Sequence, residues 1–145
     1  MTKIMFATLA LGAAVALAGP AFAEKFKVTL DGKSEVPPTT STATGTADVD
    51  YDAASKKLTW KVTYSGLSGP ATAAHFHGPA EAGKNAGVSV AIPNAGSSPV
   101  EGSATLTDAQ AADLQAGKLY INVHTAANPG GEIRGQVTKI AGRSD

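Results

Sequence analysis

The residues best suited to chemistry are His75, His77 and His124, the full histidine complement of the 145-residue chain. Neutral imidazole is a borderline ligand suited to copper, zinc and nickel. Three imidazoles without a thiolate or a carboxylate cluster favour copper or zinc over calcium or magnesium. The His-x-His spacing puts both rings of the pair on one face of an extended chain, about 7 Å apart by ordinary strand rise. Such a pair can chelate. The structural alternative is that His75 and His77 hydrogen-bond to loop backbone, Glu81, Asn122 or Glu132, and that His124 caps a strand end. Spacing alone does not bring His124 to the other two.

What the chain lacks excludes much other chemistry. It has no cysteine, and its two methionines, Met1 and Met5, lie in an N-terminal segment that reads as removable. A mature chain would then hold no sulfur, which removes cysteine nucleophiles, thiolate zinc sites and blue copper. Twelve Lys+Arg balance 12 Asp+Glu without a basic stripe, so a nucleic-acid partner is not expected. No Ser/His/Asp order or carboxylate pair indicates a hydrolase. Glu132 and Arg134 share a strand face and are expected to pair with each other or with neighbouring strand charges, an interaction of about 0 to 1 kcal/mol when exposed. Gly130-Gly131 reads as a turn needing positive φ rather than a phosphate loop, since no helix follows it.

The elements that must position the histidines are strands. Lys3, the apolar run Ile4 to Ala18 and the small-residue site Ala21-Phe22-Ala23 have the form of a signal peptide over 1–23, giving a periplasmic or secreted protein with no membrane insertion after cleavage. From residue 24 to 140 the chain reads as one domain, and 141–145 as a tail. Period-two alternation marks strands at Lys25 to Leu30, Ala43 to Tyr51 and Leu58 to Ser65, the last with Trp60 as a core anchor. Pro37-Pro38 forbids a ladder position and marks a connection. Further strands are expected at Ala71 to His77, Val88 to Ile92, Gly102 to Leu106, Lys118 to Thr125 and Glu132 to Lys139. Thr107-Asp108-Ala109-Gln110 fits a capping box for one short helix ending near Gly117, with Ala109, Ala112 and Leu114 as its apolar side. About eight strands, one connecting helix and no βαβ pattern predict an all-β fold: an antiparallel Greek-key sandwich or flattened barrel. On this reading all three histidines sit on outward faces near strand ends, beside the glycine-bearing loops Gly78 to Gly87 and Gly130-Gly131.

Three stretches resemble the CHRD (chordin) domain: Gly32 to Pro38 (GKSEVPP), Ala74-His75-Phe76-His77-Gly78, and Leu119 to Gln136 (LYINVHTAANPGGEIRGQ). The resemblance covers nearly all of the chain after residue 23. It implies an extracellular or exported domain more firmly than any activity. A second resemblance, confined to the histidines, is to copper/zinc superoxide dismutase, in which a His-x-His pair on one strand and a later histidine hold copper. Here His75, His77 and His124 would take those roles. The chain departs from that enzyme in having no bridging histidine, zinc loop or cysteines, so a zinc-bridged site is excluded. What the resemblances imply is a copper-binding exported protein, with superoxide dismutase-like redox chemistry as the activity if there is one. The alternative is a non-enzymatic module that binds extracellular protein or polysaccharide and whose histidines are structural.

Overall fold

Alternating side chains become alternating burial wherever a strand has one face on the core. The structure, a computed structural model, describes residues 23–140; the expected signal peptide and C-terminal tail lie outside the described residues, apart from Ala23. Strand β1 (Glu24–Asp31) buries Phe26, Val28 and Leu30; β2 (Thr44–Asp52) buries Gly45, Ala47, Val49 and Tyr51; β3 (Lys57–Ser65) buries Leu58, Trp60 and Val62. These three form an antiparallel meander in unbroken register, from Glu24 opposite Tyr51 to Asp52 opposite Lys57. Trp60 is the expected anchor, packing edge-on against Phe76 with ring centroids 5.3 Å apart. It lies opposite Gly102, where any Cβ would run into the indole ring.

Strands β4 (Ala71–His77) and β5 (Val88–Ile92) pair with one another, and β6 (Val100–Thr105) pairs with β3. Helix α1 (Asp108–Gln115) follows, with both halves of the capping box made between Thr107 and Gln110. Its apolar side is narrower than expected: Ala109 and Ala112 are exposed and Leu114 alone is buried. Then come β7 (Tyr120–Thr125), β8 (Ile133–Gln136) and β9 (Thr138–Lys139).

All strands among the described residues belong to one antiparallel sheet of nine, in the order β5-β4-β7-β8-β1-β2-β3-β6, with β9 on β1. The ends of that order, β5 and β6, approach each other, so the sheet nearly closes into a barrel. Across that gap β3-β6-β5-β4 has the order of a Greek key. The expected single strand Glu132 to Lys139 is divided. Its first half pairs with β7, then Val137 turns inward, its amide bonding Leu119 O at 2.9 Å, and the second half pairs with β1.

Candidate metal centre on the outer face of β4 and β7

Strand β7 breaks the alternation, since all six of its residues are buried. Ile121 and Val123 face the core, so Tyr120, Asn122 and His124 on the other side are covered from outside the barrel. The cover is made of loops. Ala86 N–H bonds the Tyr120 hydroxyl at 3.1 Å, and Asn85 Nδ2 reaches Val36 O at 2.9 Å, joining the 78–87 loop to the 32–39 connection. The outward histidine face expected from the sequence is therefore largely enclosed: His77 is 8% and His124 9% exposed.

The register of β4 on β7 assembles the histidines. Ala73 lies opposite His124, His75 opposite Asn122 and His77 opposite Tyr120, following an irregularity between Ala71 and Ala73. The small side chain of Ala73 leaves His124 room to lean along the diagonal to His75. Ring centroids stand 4.9 Å apart for His75 and His124, 5.4 Å for His75 and His77, and 6.0 Å for His77 and His124. One nitrogen from each ring can be chosen so that no pair is further apart than 4.8 Å. Three nitrogens each about 2.0 Å from a single ion stand roughly 3.3 Å apart in tetrahedral geometry. His75 Nδ1 and His124 Nε2 already meet that at 3.1 Å.

Hydrogen bonds set the tautomers. Carbonyl oxygens only accept, so His77 Nδ1 donates to Ala86 O at 3.0 Å and His124 Nδ1 donates to Pro129 O at 2.8 Å. In the neutral rings both Nε2 atoms then carry lone pairs, and His75 Nδ1 donates to that of His124. His77 Nε2 is buried with no hydrogen-bond partner among the described residues. Burial lowers the pKa of His75, helped by the nearby His124 and His77. Burial likewise lowers that of His77, against the bond to Ala86. Both rings are held neutral, the form that binds a metal. A backbone carbonyl on the remote nitrogen is the usual way a ligating imidazole is oriented.

Around this centre the structure corrects the expected pairing of Glu132 and Arg134. Neither is exposed, and they do not form an ion pair. Glu132 instead accepts from Ser41 Oγ (2.8 Å), Ser68 N (2.9 Å), Thr125 Oγ1 (2.8 Å), Asn128 Nδ2 (3.1 Å) and the Ser68 hydroxyl. Burial pushes its pKa up, but the donors from Ser68, Thr125 and Ser41 outweigh it and hold the carboxyl at about 2. Arg134 lies 3.5 Å over the Tyr120 ring and donates to Asn85 Oδ1 at 3.0 Å and Lys84 O at 2.6 Å, gripping the 78–87 loop. Tyr120 also stacks on His77, with centroids 4.9 Å apart and planes 4° from parallel.

Two further residues at the centre carry little sequence signal. Asn122 sits between His75 and Arg134 in the cross-strand row. Glu35, from the 32–39 connection, is 5% exposed, and burial raises its pKa to about 7 against the opposing charge of Arg134 and the Asn122 amide. Of these, Glu35 stands within the GKSEVPP stretch, and Asn122 follows from His124 by the period-two rule once β7 is recognised as a strand. Asn122 is also among the partners expected for His75 and His77 from the sequence, whereas nothing there says that Glu35 meets the histidines.

The fold and site together define a small antiparallel barrel domain with a loop-covered histidine cluster on its outer face. The CHRD domain profile matches residues 26–137, and the chain belongs to that family. No curated protein and no solved structure matches the chain. No helix among the described residues is long and apolar enough to cross a membrane.

Proposed function

We propose that this CHRD-domain protein is exported to the periplasm or medium and binds one transition-metal ion, copper in preference to zinc, through His75, His77 and His124. The observation that carries the reading is the convergence of three imidazoles to within 4.8 Å, with His77 and His124 held by backbone carbonyls through Nδ1 so that each keeps a lone pair on Nε2. An ion would replace the His75 Nδ1 proton that now bridges to His124, His75 ligating as its other tautomer. An all-imidazole donor set suits copper and zinc. The buried, unpartnered His77 Nε2 supports it further, because such an atom is costly unless something binds it. Three protein ligands leave a coordination position open, which suits either carriage of the ion or redox chemistry upon it. The exported location draws on the family and on the signal-peptide pattern before Glu24.

Equilibrium dialysis against copper tests the reading. Wild-type protein is expected to retain one copper per chain after unbound metal is removed, and His75→Ala, His77→Ala and His124→Ala each to lose it. Equal retention in the wild type and all three variants would leave the histidines a structural role, as in a protein- or polysaccharide-binding module.

A further inference from the structure

Among the described residues, the buried side-chain atoms without a hydrogen-bond partner are Glu35 Oε2, Trp60 Nε1, His77 Nε2 and Asn122 Oδ1. Trp60 belongs to the core, and the other three lie at the histidine centre or its margin. Asn122 is 3% exposed, opposite His75 in register and two residues before His124 on the same face. Its Nδ2 donates to Gly130 O at 3.3 Å. That bond fixes the amide, since a flipped amide would set oxygen against oxygen. Oδ1 is thus a buried acceptor with no donor. In the cross-strand row Asn122 stands between His75 and Arg134. On the Glu35 side the space is filled, because the Glu35 carboxylate and the Asn122 amide crowd together over Gly131. A donor for Oδ1 must come from the histidine side.

We propose that Asn122 is the positioning residue for the open coordination position of the three-histidine centre, its Oδ1 accepting a hydrogen bond from a small metal-bound ligand that carries an O–H or N–H group. The inference rests on the metal-binding reading above. Water is the simplest such ligand. Selectivity follows from the chemistry of the amide oxygen, because an anion that can only accept hydrogen bonds meets an acceptor where it needs a donor. Replacing Asn122 by leucine, a side chain of similar size, removes both that conflict and the orphaned oxygen. The lost bond to Gly130 is cheap, as Gly130 is exposed and its carbonyl can turn to water. Glu35, which also loses the amide, has its pKa raised by burial to about 7 and can take up a proton instead.

Sodium azide titrated into the Cu(II)-loaded protein, followed by its charge-transfer band, reads copper-loaded molecules only. Asn122→Leu is expected to bind azide at least about tenfold more tightly than the wild type. Its metal-free Tm should equal or exceed the wild-type value, because a buried acceptor without a donor is destabilising. Asn122→Ala should shift azide affinity in the same direction and replaces the leucine variant if that fails to pack. Equal azide affinity in the wild type and the folded variants overturns the proposal. A metal-free Tm below the wild type with azide binding unchanged does so too, being the behaviour of a purely structural asparagine. Failure of the wild type to hold copper is a separate result, which overturns the metal-binding reading and this inference with it.

Discussion

A ring nitrogen that faces a backbone carbonyl must carry the proton, and that rule fixes the chemistry available to His77 and His124. Their remaining nitrogens are lone pairs, and the His75 Nδ1 proton bridges to one of them. Glu132 applies the same reasoning to a carboxylate, which accepts from two serines, a threonine and an asparagine and needs no cation. Its removal orphans those donors, so Glu132→Ala should lower unfolding free energy at pH 7 by at least about 3 kcal/mol in urea denaturation. The folded pKa of about 2 lies below the ordinary carboxyl value of 4.5, so the stabilisation is full above 4.5 and is lost as pH falls toward 2. The difference between wild type and variant should shrink across that window; a difference constant from pH 7 to pH 2 would mean that the charge on Glu132 is not what the donors hold. From sequence, Glu132 and Arg134 read as an exposed pair because alternation says which face a residue takes and not whether a loop covers it.

At the scale of elements, the meander β1-β2-β3 was legible because its residues alternate cleanly and turn residues bound each strand. The capping box at Thr107 and Gln110 was legible for a similar reason, since cap chemistry is local. Strand β7 was legible as a strand but not as one buried on both faces, for that depends on the 32–39 and 78–87 connections folding over it. The turn between β7 and β8 shows how narrow a local rule can be. Gly130-Gly131 reads as a turn needing positive φ, and within it Gly131 is the residue that takes it, at +123°, where a Cβ would also strike Glu35 and Asn122. Gly131→Ala should therefore cost about 2 kcal/mol or more in chemical denaturation. Gly130→Ala, whose Cβ meets nothing within 4 Å, should stay within about 0.5 kcal/mol of the wild type. Similar losses at the two glycines would contradict the account of the turn.

At the scale of the whole molecule, the barrel has two kinds of outer surface. Over β1, β2 and β3 it is the bare polar face of an antiparallel sheet, with Lys27 opposite Asp48 and Asp48 opposite Lys61. Over β4, β7 and β8 the same face is roofed by loops and lined with His75, His77, Tyr120, Asn122 and His124. The division arises from topology. The sequence names β4 and β7 as strands but not as neighbours, and the 42 positions between the end of β4 and the start of β7 hold β5, β6 and α1. The histidine pair was thus visible in the spacing alone while the triad rested on a resemblance, because non-local pairing places His124 beside His75. The central claim is that this pairing makes one metal centre of three imidazoles. Pulsed electron paramagnetic resonance on the wild-type protein loaded with one equivalent of Cu(II) tests it most directly, by counting coordinated imidazole rings. The account predicts a single copper species with three; a copper ion bound by fewer, or distributed among several environments, would contradict it.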